Sequence, residues 1–447
     1  GMSNEYLWVD KDPEVFRYVP GVAEKPWNDS EKGYRRSAGY DLLEAKRVEM
    51  PMLDFAESQK SFVEMVHGYS KEQAMAEADR CVACGICIAT CPAHMDVPAY
   101  IDAIRRDDLG DGLRIVYEAN PLPASCGRVC SHACEHVCAM KHKGEAISIR
   151  WLKRYIVDQI YSQDYTTFLA EAAPENGRSI AIIGSGPGGL AAAYYLRLLG
   201  YDITIYDANE KAGGMLRYGI PEYRLPYDQV DKDVEYIRSL GVTINQNTRI
   251  GVDVTFAEIY DHHDAVFFST GLSDPYGLDI AGEDLPGVIS GLTILDQVTK
   301  GQKPDIGESV VAVGGGNVAM DAARTSRRYG AEVTILYRRR EEDMPADHEE
   351  IHESRGESID IVTQAIPLRL EKGRTKRLRL IWGKAQMIPD EKGGRPNPKL
   401  IEGSEEYIEA DTVIPAIGQG ADYRFLPADI SAKLEVSRGM VVVNEFK

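Results

Sequence analysis

The position of the cysteines constrains this chain more than any other feature. All eight lie between Cys81 and Cys138 of a 447-residue sequence, and no cysteine follows them. The first four begin at Cys81 and end just before Pro92, with the spacing C-x2-C-x2-C-x3-C-P that is typical of bacterial ferredoxins. In that pattern three thiolates hold one 4Fe-4S cluster and the fourth cysteine serves another. The sequence therefore predicts two clusters and a second group of ligands.

The second group has four cysteines, each four residues after the last: Cys126, Cys130, Cys134 and Cys138. The crossed pattern predicts that one cluster is held by Cys81, Cys84, Cys87 and one member of this group, with Cys138 preferred. The other cluster would then be held by Cys91, Cys126, Cys130 and Cys134. Because eight cysteines suffice, we expect the neighbouring histidines to lie at the surface or behind the ligands: His94, His132, His136 and His142.

Two other uses of the cysteines are weaker interpretations. Structural zinc sites usually take their ligands from separated C-x2-C pairs, and an unbroken triple followed by C-P suits them poorly. Disulfides are typical of exported proteins, whereas the acidic start GMSNEYLWVDKDPEVF has no export signal. The long uncharged run 179–196 is interrupted by SGPGGL, which predicts a strand and a turn. We therefore expect a cytoplasmic protein without a membrane span.

The pattern of the chain changes twice. Residues 1–60 are polar, of mixed charge and interrupted by prolines, which predicts an N-terminal arm. The apolar spacing in SKEQAMAEADR, VPAYIDAIRR and AISIRWLKRYIVDQIY predicts helices, and hence a helical domain over 61–170. From residue 178 short apolar strands alternate with glycine turns and alanine-rich helices, which is typical of βαβ units around a parallel sheet.

The first glycine turn predicts a dinucleotide site. GSGPGG, from Gly184 to Gly189, follows the apolar strand SIAII and opens a helix. The first glycine makes the turn, the second lets a pyrophosphate approach the backbone, and the third lets helix and strand pack closely. Asp207 ends the next strand, 23 residues after Gly184, where an acid is expected to accept a hydrogen bond from a ribose hydroxyl.

A second glycine turn predicts another such site. GGGNVA, from Gly314 to Ala319, follows SVVAV, and the next strand ends at three arginines, Arg338 to Arg340, instead of an acid. Positive charge at this position favours the 2′-phosphate of NADP over NAD. The alternative is a solvated charged strand end, because three acidic residues follow immediately.

Two nucleotide sites and two clusters predict an electron path. A nicotinamide gives up a hydride whereas clusters take single electrons, so a flavin is expected between them. Disulfide reductases also pair two nucleotide domains, but they need a redox-active cysteine pair that is absent from residue 139 onward. The formal charge of −19 disfavours nucleic acid and anionic membranes as partners.

Several motifs together resemble one family. They are LPASCGRVCSHACEHVC, GSGPGGLAAAYYL, GGMLRYGIPEYRLP, VGGGNVAMDAARTSRRYGAEVTILYRR and DTVIPAIGQG. From about Phe62 onward the chain resembles the small (beta) subunit of NADPH-dependent glutamate synthase and its relatives, including the N-terminal half of dihydropyrimidine dehydrogenase. The resemblance implies an α-helical double-cluster domain followed by a Rossmann-like α/β flavoprotein. FAD-binding segments would span 178–288 and 411–447, with an NAD(P)H-binding domain inserted over 289–410.

The resemblance also implies contacts for each nucleotide. FAD contacts would be Gly184, Gly186, Gly188, Gly189, Asp207, Gly214, Met215 and Arg224. Nicotinamide-nucleotide contacts would be Gly314, Gly315, Gly316, Asn317, Val318, Arg338 and Arg339. Ala416, Ile417 and Gly418 would line the nucleotide cleft.

Three departures from the family pattern affect these expectations. Ser131 stands where relatives usually have proline. Lys153 stands where some relatives supply a glutamine or glutamate ligand, and because an ammonium has no lone pair, this favours Cys126 as the fourth ligand. Relatives continue beyond VVVNEFK with a strand, a Gly-Asp segment that contacts the flavin, and a helix. We therefore expect the second FAD segment to be incomplete, which puts FAD affinity in question.

The expected function is an electron-input subunit. It would oxidise NADPH, or less favourably NADH, and pass electrons through FAD and two 4Fe-4S clusters to a larger catalytic subunit or a ferredoxin-like acceptor protein. No general acid or base is expected, because hydride transfer depends on the alignment of two rings. The alternatives are a non-catalytic relay or scaffold subunit, and a subunit of an electron-bifurcating NAD(P)H:ferredoxin oxidoreductase.

Overall fold

The computed structural model describes residues 46–142, 144–161, 165–373, 377–391, 393–437 and 440–442. Most of the predicted N-terminal arm, residues 1–45, lies outside the described residues. Within them, no helix has the length and apolar character needed to cross a membrane.

Short helices build the region that carries the cysteines. They are α1 Phe55–Ser58, α2 Lys71–Asp79, α3 Ile86–Thr90, α4 Val97–Arg105, α5 Leu109–Ala119, α6 Pro123–Val129, α7 Ala133–His136 and α8 Ile149–Ile160. Side chains define several helix starts: Ser70 forms a capping box with Gln73 before α2, and Asp96 caps α4. The three predicted helices are confirmed as α2, α4 and α8. The last begins only at Ile149, and the N–H of the preceding residue, Ser148, donates to Glu77 at 2.8 Å.

A parallel sheet follows in the order β3-β2-β1-β4. Its strands are β1 Ser179–Ile183, β2 Asp202–Tyr206, β3 Thr243–Asn245 and β4 Ala265–Phe268. The accompanying helices are α9 Pro187–Leu198, α10 Met215–Tyr218, α11 Tyr227–Ser239 and α12 Phe256–His262. One hydrophobic core joins this sheet to the cysteine-bearing helices, with Tyr117 packed edge-on against Tyr236 at 5.0 Å between ring centroids. The first sheet and the helical region therefore hold each other in place.

A second parallel sheet has the order β12-β6-β7-β8. The chain reaches it through β5 Asp274–Pro275, and the sheet consists of β6 Ser309–Val313, β7 Glu332–Leu336, β8 Asp360–Val362 and β12 Thr412–Pro415. Its helices are α13 Gly291–Thr299, α14 Asn317–Arg328 and α15 His348–Gly356. Between β8 and β12 lies an antiparallel sheet, ordered β11-β10-β9, of β9 Ala365–Lys372, β10 Leu378–Ile388 and β11 Asn397–Ala410. After β12 come β13 Gln419–Gly420, α16 Ala428–Ser431, β14 Val436–Ser437 and β15 Met440–Val441.

The sheet pairing moves the predicted boundaries of the inserted domain. Strand β12 pairs in parallel with β6, with Val413 opposite Val311. The sequence placed this strand in the second FAD segment, after a boundary at 410. β5 pairs with β13 and marks where the chain enters and leaves the insertion. The second sheet therefore includes residues 412–415, beyond the predicted boundary at 410, because the strand DTVIP pairs with β6.

Residues 46–69 wrap across the inserted domain. Phe55 lies edge-on to His352 at 5.9 Å, Ser58 donates to Glu357 at 3.2 Å, and Arg327 donates to Gln59 at 3.0 Å. This segment therefore links the cysteine-bearing helices to the second sheet.

Candidate iron-sulfur and nucleotide-binding sites

The eight cysteines separate into two groups around two cavities. The first cavity is lined by Cys81, Cys84, Cys87 and Cys138, together with apolar side chains such as Ile101. The second cavity, of about 240 Å³, is lined by Cys91, Cys126, Cys130 and Cys134. All eight cysteines are free. The structure thus brings together the two crossed sets that the spacing predicted.

Backbone N–H groups point at the sulfur atoms. Ala83 donates to Cys81 Sγ at 3.4 Å, His132 to Cys130 Sγ at 3.3 Å, and Ile147 to Cys138 Sγ at 3.5 Å. Ala83 and His132 have left-handed backbone conformations, with φ of 55° and 38°. The conformations fold each loop around a cysteine. Hydrogen bonds of this kind stabilise thiolate charge and tune clusters.

The second cavity contains a buried cation. Lys153, 5% exposed, donates from Nζ to Cys126 Sγ at 3.0 Å. A hydrogen bond from Cys130, followed by the charge of Lys153, lowers the pKa of the Cys126 thiol well below its ordinary value although burial opposes this. Burial lowers the pKa of Lys153, but the charges of Cys126 and Cys130 raise it overall. Burial raises the pKa of Cys134 to about 12.

A polar atom without a partner supports the fit to a cluster. The buried side-chain nitrogen of Asn120 has no oxygen or nitrogen acceptor among the described residues, and Asn120 lines the second cavity beside Cys126. Burying such a group without an acceptor costs about 1–3 kcal/mol. The sulfides of a 4Fe-4S cluster would supply an acceptor, so the residues present fit that group.

Glycine occupies positions 184, 186 and 189 of the first loop, each for a different physical reason. Gly184 has φ +104°, and a Cβ there would lie 2.3 Å from the Ser269 carbonyl oxygen. A Cβ on Gly189 would lie 1.9 Å from the Gly184 oxygen. Gly186 has φ −70°, and a Cβ on it would meet nothing closer than 3.9 Å. The protein itself does not require glycine at position 186, so the open space suits an approaching pyrophosphate.

The second loop repeats this arrangement. Gly314 has φ +154° and would place a Cβ 2.2 Å from the Ala416 oxygen, whereas Gly316 would place one no closer than 3.8 Å to any other atom. Among the described residues no side chain caps α9 or α14, the helices that these loops open. Their free N–H groups therefore suit a phosphate at each helix start.

Most predicted FAD contacts lie together around the first loop. Gly214 packs against Gly186, since a Cβ on Gly214 would lie 2.7 Å from Gly186 Cα, and Met215 begins α10 directly afterwards. Asp207 Oδ2 accepts from the Ser185 N–H at 2.7 Å and from its hydroxyl at 2.6 Å. The carboxylate therefore holds the glycine loop itself, and its predicted contact with a ribose stays a prediction.

Arg224 is paired with carboxylates, and its predicted contact with FAD stays a prediction. Its Nη1 donates to both carboxylate oxygens of Asp321 at 2.8 Å, and its Nε lies 2.6 Å from Glu350. Arg224 thus joins the first sheet region to helices α14 and α15. It lines a cavity of about 630 Å³ between the regions, which none of the other predicted FAD contacts line. The family resemblance alone could not predict that the Arg224 side chain forms ion pairs with Asp321 and Glu350.

The predicted nicotinamide-nucleotide contacts line one cleft of about 470 Å³. They are Gly314, Gly315, Gly316, Asn317, Val318, Arg338, Arg339, Ala416, Ile417 and Gly418. Arg395, from the connection between β10 and β11, also lines the cleft. Sequence reasoning missed Arg395 because it lies 56 residues after Arg339 and outside any motif. Arg339 Nε donates to the neighbouring Pro396 oxygen at 2.7 Å, which holds that connection at the cleft.

Four arginines near the second glycine loop differ in their ion-pair partners. Arg340 pairs with Glu342 at 3.1 Å and Asp343 at 2.9 Å, so the alternative of a solvated charged strand end applies to it. Among the described residues, Arg338, Arg339 and Arg395 have no carboxylate partner. Partial burial and the charges of Arg339 and Arg395 lower the pKa of Arg338. Three mutually repelling cations at one cleft suit a phosphate dianion.

Comparisons with known proteins agree with these sites. The family profile described as dihydropyrimidine dehydrogenase domain II, 4Fe-4S cluster, matches residues 58–165, and that of pyridine nucleotide-disulphide oxidoreductase matches 178–447. The small chain of NADPH glutamate synthase from Escherichia coli is 31% identical over 398 residues, which cover 85% of this chain and 84% of that one. The chain belongs to the NADPH glutamate synthase small-chain family. This confirms the predicted family.

Other members of the wider group carry different names. The beta subunit of NADP(+)-dependent formate dehydrogenase from Moorella thermoacetica is 39% identical, and that of NADPH-Fe(3+) oxidoreductase from Geobacter sulfurreducens is 37% identical. Each match covers 80% of this chain, but the chain spans only about half of those relatives, 54% of each. As a member of the glutamate synthase small-chain family, the protein has the predicted order of a helical iron-sulfur domain and a Rossmann-like nucleotide-binding region. The two family profiles confirm the predicted 4Fe-4S domain and the predicted class of a pyridine-nucleotide oxidoreductase, and FAD and NADPH as cofactors agree with that class.

Proposed function

We propose that the protein is the electron-input subunit of a larger enzyme. It takes a hydride from NADPH to FAD and passes single electrons through two 4Fe-4S clusters to a partner protein. The observation that carries this proposal is that the two cysteine cavities share a wall, since Val97 and Ile149 line both. Two clusters separated by two aliphatic side chains are close enough to exchange electrons.

Helix α6, which carries Cys126 of the second cavity, is bonded to the first sheet region. Helix α6, which ends just before Cys130, begins with Pro123. The N–H groups of Ala124 and Ser125 donate to Asp233 of α11 at 3.2 and 2.9 Å. We therefore assign Cys91, Cys126, Cys130 and Cys134 to the cluster that first receives electrons, and Cys81, Cys84, Cys87 and Cys138 to the cluster that delivers them.

The delivering cluster reaches the surface. Cys84 is exposed, and the neighbouring apolar side chains Ile86 and Val137 are 48% and 39% exposed. An apolar patch around a redox centre suits a docking protein. The relatives are named as small chains and beta subunits, which supports a larger catalytic subunit, or a ferredoxin-like protein, as the acceptor. We also propose a cytoplasmic location, because eight free cysteines suit a reducing compartment.

Anaerobic reconstitution tests the proposal. Iron, acid-labile sulfide and FAD analyses should give two 4Fe-4S clusters and one flavin per chain. Rapid mixing with NADPH should bleach the flavin before the clusters show reduced signals in electron paramagnetic resonance (EPR), and NADH should act more slowly. In Cys84→Ser, NADPH should still bleach the flavin while reduction of an added ferredoxin is lost. Zinc in place of iron, or a flavin that NADPH leaves oxidised, would contradict the proposal.

A further inference from the structure

Lys153 is a buried cation with no carboxylate partner in the part of the chain that the structure describes. It lies on α8, and its Nζ is 3.0 Å from Cys126 Sγ. None of the residues lining the second cavity is acidic, and among the described residues Lys153 forms no ion pair. Arg150, one turn earlier, differs because it donates to the Cys130 oxygen at 3.2 Å and pairs with Glu349. The cysteine sulfur atoms that line the cavity therefore supply the negative charge opposite Lys153.

A buried ammonium without a counter-charge is costly, and proteins normally pair it. A cluster held by four thiolates is an anion, and it gains one further negative charge when it takes an electron. A fixed positive charge next to one of its sulfur ligands therefore stabilises the reduced cluster more than the oxidised one. Hydrogen bonds to the sulfurs and net charge are among the factors that set cluster potentials.

We propose that Lys153 is a positioning residue that holds Cys126 and raises the reduction potential of the second cluster, so that this cluster takes the first electron from the flavin. The proposal rests on the proposed function. The step is a one-electron transfer in which Lys153 keeps its proton and no bond to iron forms. An ammonium nitrogen has no lone pair, so Lys153 acts behind the ligand and does not replace it.

Three variants separate charge from shape. Lys153→Met removes the charge and the donor, Lys153→Gln keeps a neutral donor, and Lys153→Arg keeps the charge. Lys141→Met, in the same domain but exposed, is the control. Each protein is reconstituted anaerobically, its iron and sulfide are counted, and both clusters are titrated potentiometrically with EPR detection.

We expect the Met and Gln variants to lower the potential of one cluster by at least about 59 mV, a tenfold shift for a one-electron couple. The other cluster, the Arg variant and the Lys141 control should stay near the wild-type potentials. If the Met variant loses the second cluster, the cluster potentials of the Gln and Arg variants test the proposal instead. Loss of that cluster from every neutral variant, with retention in the Arg variant, also supports the proposal.

Two results would overturn it: equal potentials in the wild-type, Gln and Arg proteins, or a wild-type EPR signal that changes in the Arg variant as expected for a lost iron ligand. These differ from failure of the proposed function. In that case the wild-type protein itself would lack two clusters or would not be reduced by NADPH.

Discussion

Arg340 and Arg395 carry the same charge near the second glycine loop, but they differ in their partners. Arg340 is neutralised by Glu342 and Asp343, whereas Arg395 has no carboxylate partner among the described residues and shares the nucleotide cleft with Arg338 and Arg339. A charge that remains unpaired next to a cleft is available to a ligand. The sequence does not show this difference, because Arg338, Arg339 and Arg340 are consecutive and carry the same charge.

Replacing Arg395 should therefore change the choice of nucleotide. We expect Arg395→Gln to lower kcat/KM for NADPH about tenfold, since a charge-assisted hydrogen bond is worth about 1.5–3 kcal/mol. The same variant should change kcat/KM for NADH less than about twofold, because NADH lacks the phosphate. Arg340→Gln is the matched control and should leave the ratio unchanged. An equal loss with both nucleotides would show that Arg395 only supports the loop.

The second glycine of each loop gives a reciprocal test. Gly186→Ala and Gly316→Ala each add a methyl group that meets no other atom within 3.8 Å. We expect both variants to fold, because neither position needs glycine's conformational freedom. Gly186→Ala should lower FAD content while Gly316→Ala keeps its flavin but loses NADPH binding in calorimetry. Retention of both nucleotides by both variants would contradict the assignment of the loops.

At the scale of the element, helix α6 is capped by another domain. No side chain of its own caps it, and Asp233 on α11 accepts from the N–H groups of Ala124 and Ser125. Tyr161 also donates to Asp233, at 3.1 Å. The carboxylate therefore fixes the helix that carries Cys126 against the first sheet region.

Removing this cap should loosen the helix. We expect Asp233→Asn to lower the free energy of unfolding by about 1–3 kcal/mol, because an amide nitrogen cannot accept the buried N–H groups. Anaerobic chemical denaturation of the holoprotein measures the loss. Glu235→Gln, on the same helix but exposed and paired with Arg238, should cost less than about 1 kcal/mol. Equal stability of the two variants would contradict the capping role.

The same carboxylate predicts a pH dependence. Burial raises the pKa of Asp233 to about 6, from an ordinary value of 3.8, against the hydrogen bonds that it accepts from Ser125. The folded protein thus binds this proton more tightly than the unfolded chain. Its contribution to the free energy of unfolding should therefore fall as the pH rises from about 4 to 6 and stay constant above that. The difference between the wild-type protein and Asp233→Asn, measured across this range, isolates the effect, and a difference independent of pH would contradict it.

At the scale of the whole molecule, a buried ionic cluster joins the regions. Glu357 accepts from Arg324 at 2.9 Å and from Arg328 at 2.7 Å, and all three side chains are fully buried. Ser58 of the wrapping segment donates to the same carboxylate. Tyr223, from the first sheet region, stacks under the Arg328 guanidinium at 3.5 Å. One carboxylate thus ties three parts of the chain together.

Removing that charge should destabilise the assembled protein strongly. We expect Glu357→Gln to lower the free energy of unfolding by about 3–5 kcal/mol, because the buried Arg328 guanidinium loses its carboxylate partner. Arg324 keeps its pairs with Glu350 and Glu353. Glu341→Gln, whose pair with Arg355 is exposed, should change it by less than about 1 kcal/mol. Chemical denaturation of both holoproteins gives the comparison. A Glu357 variant as stable as the Glu341 variant would show that the cluster contributes no net stability.

Local spacing was sufficient for much of the candidate site. The division of the first four cysteines between two sets follows from ligand spacing, because a tight loop with three closely spaced cysteines leaves the fourth facing away. The spacing favoured Cys138 for the first set but left the choice within the second group open. The glycine loops follow from strand, turn and helix signals within about thirty residues. Asp233, Arg395 and the pairing of Arg224 with Asp321 could not be predicted. Each joins residues that are distant in sequence, and no periodic pattern marks them.

Which cofactors this chain is suited to hold follows from short segments, because cysteine spacing and glycine turns have a local backbone geometry. How those sites face one another follows from contacts between distant segments. The tertiary structure placed the strand after β11 in the second sheet, set two aliphatic side chains between the cysteine cavities, and buried Lys153 beside Cys126. These arrangements depend on packing and charge compensation between distant segments, and the proposed order of electron transfer rests on them.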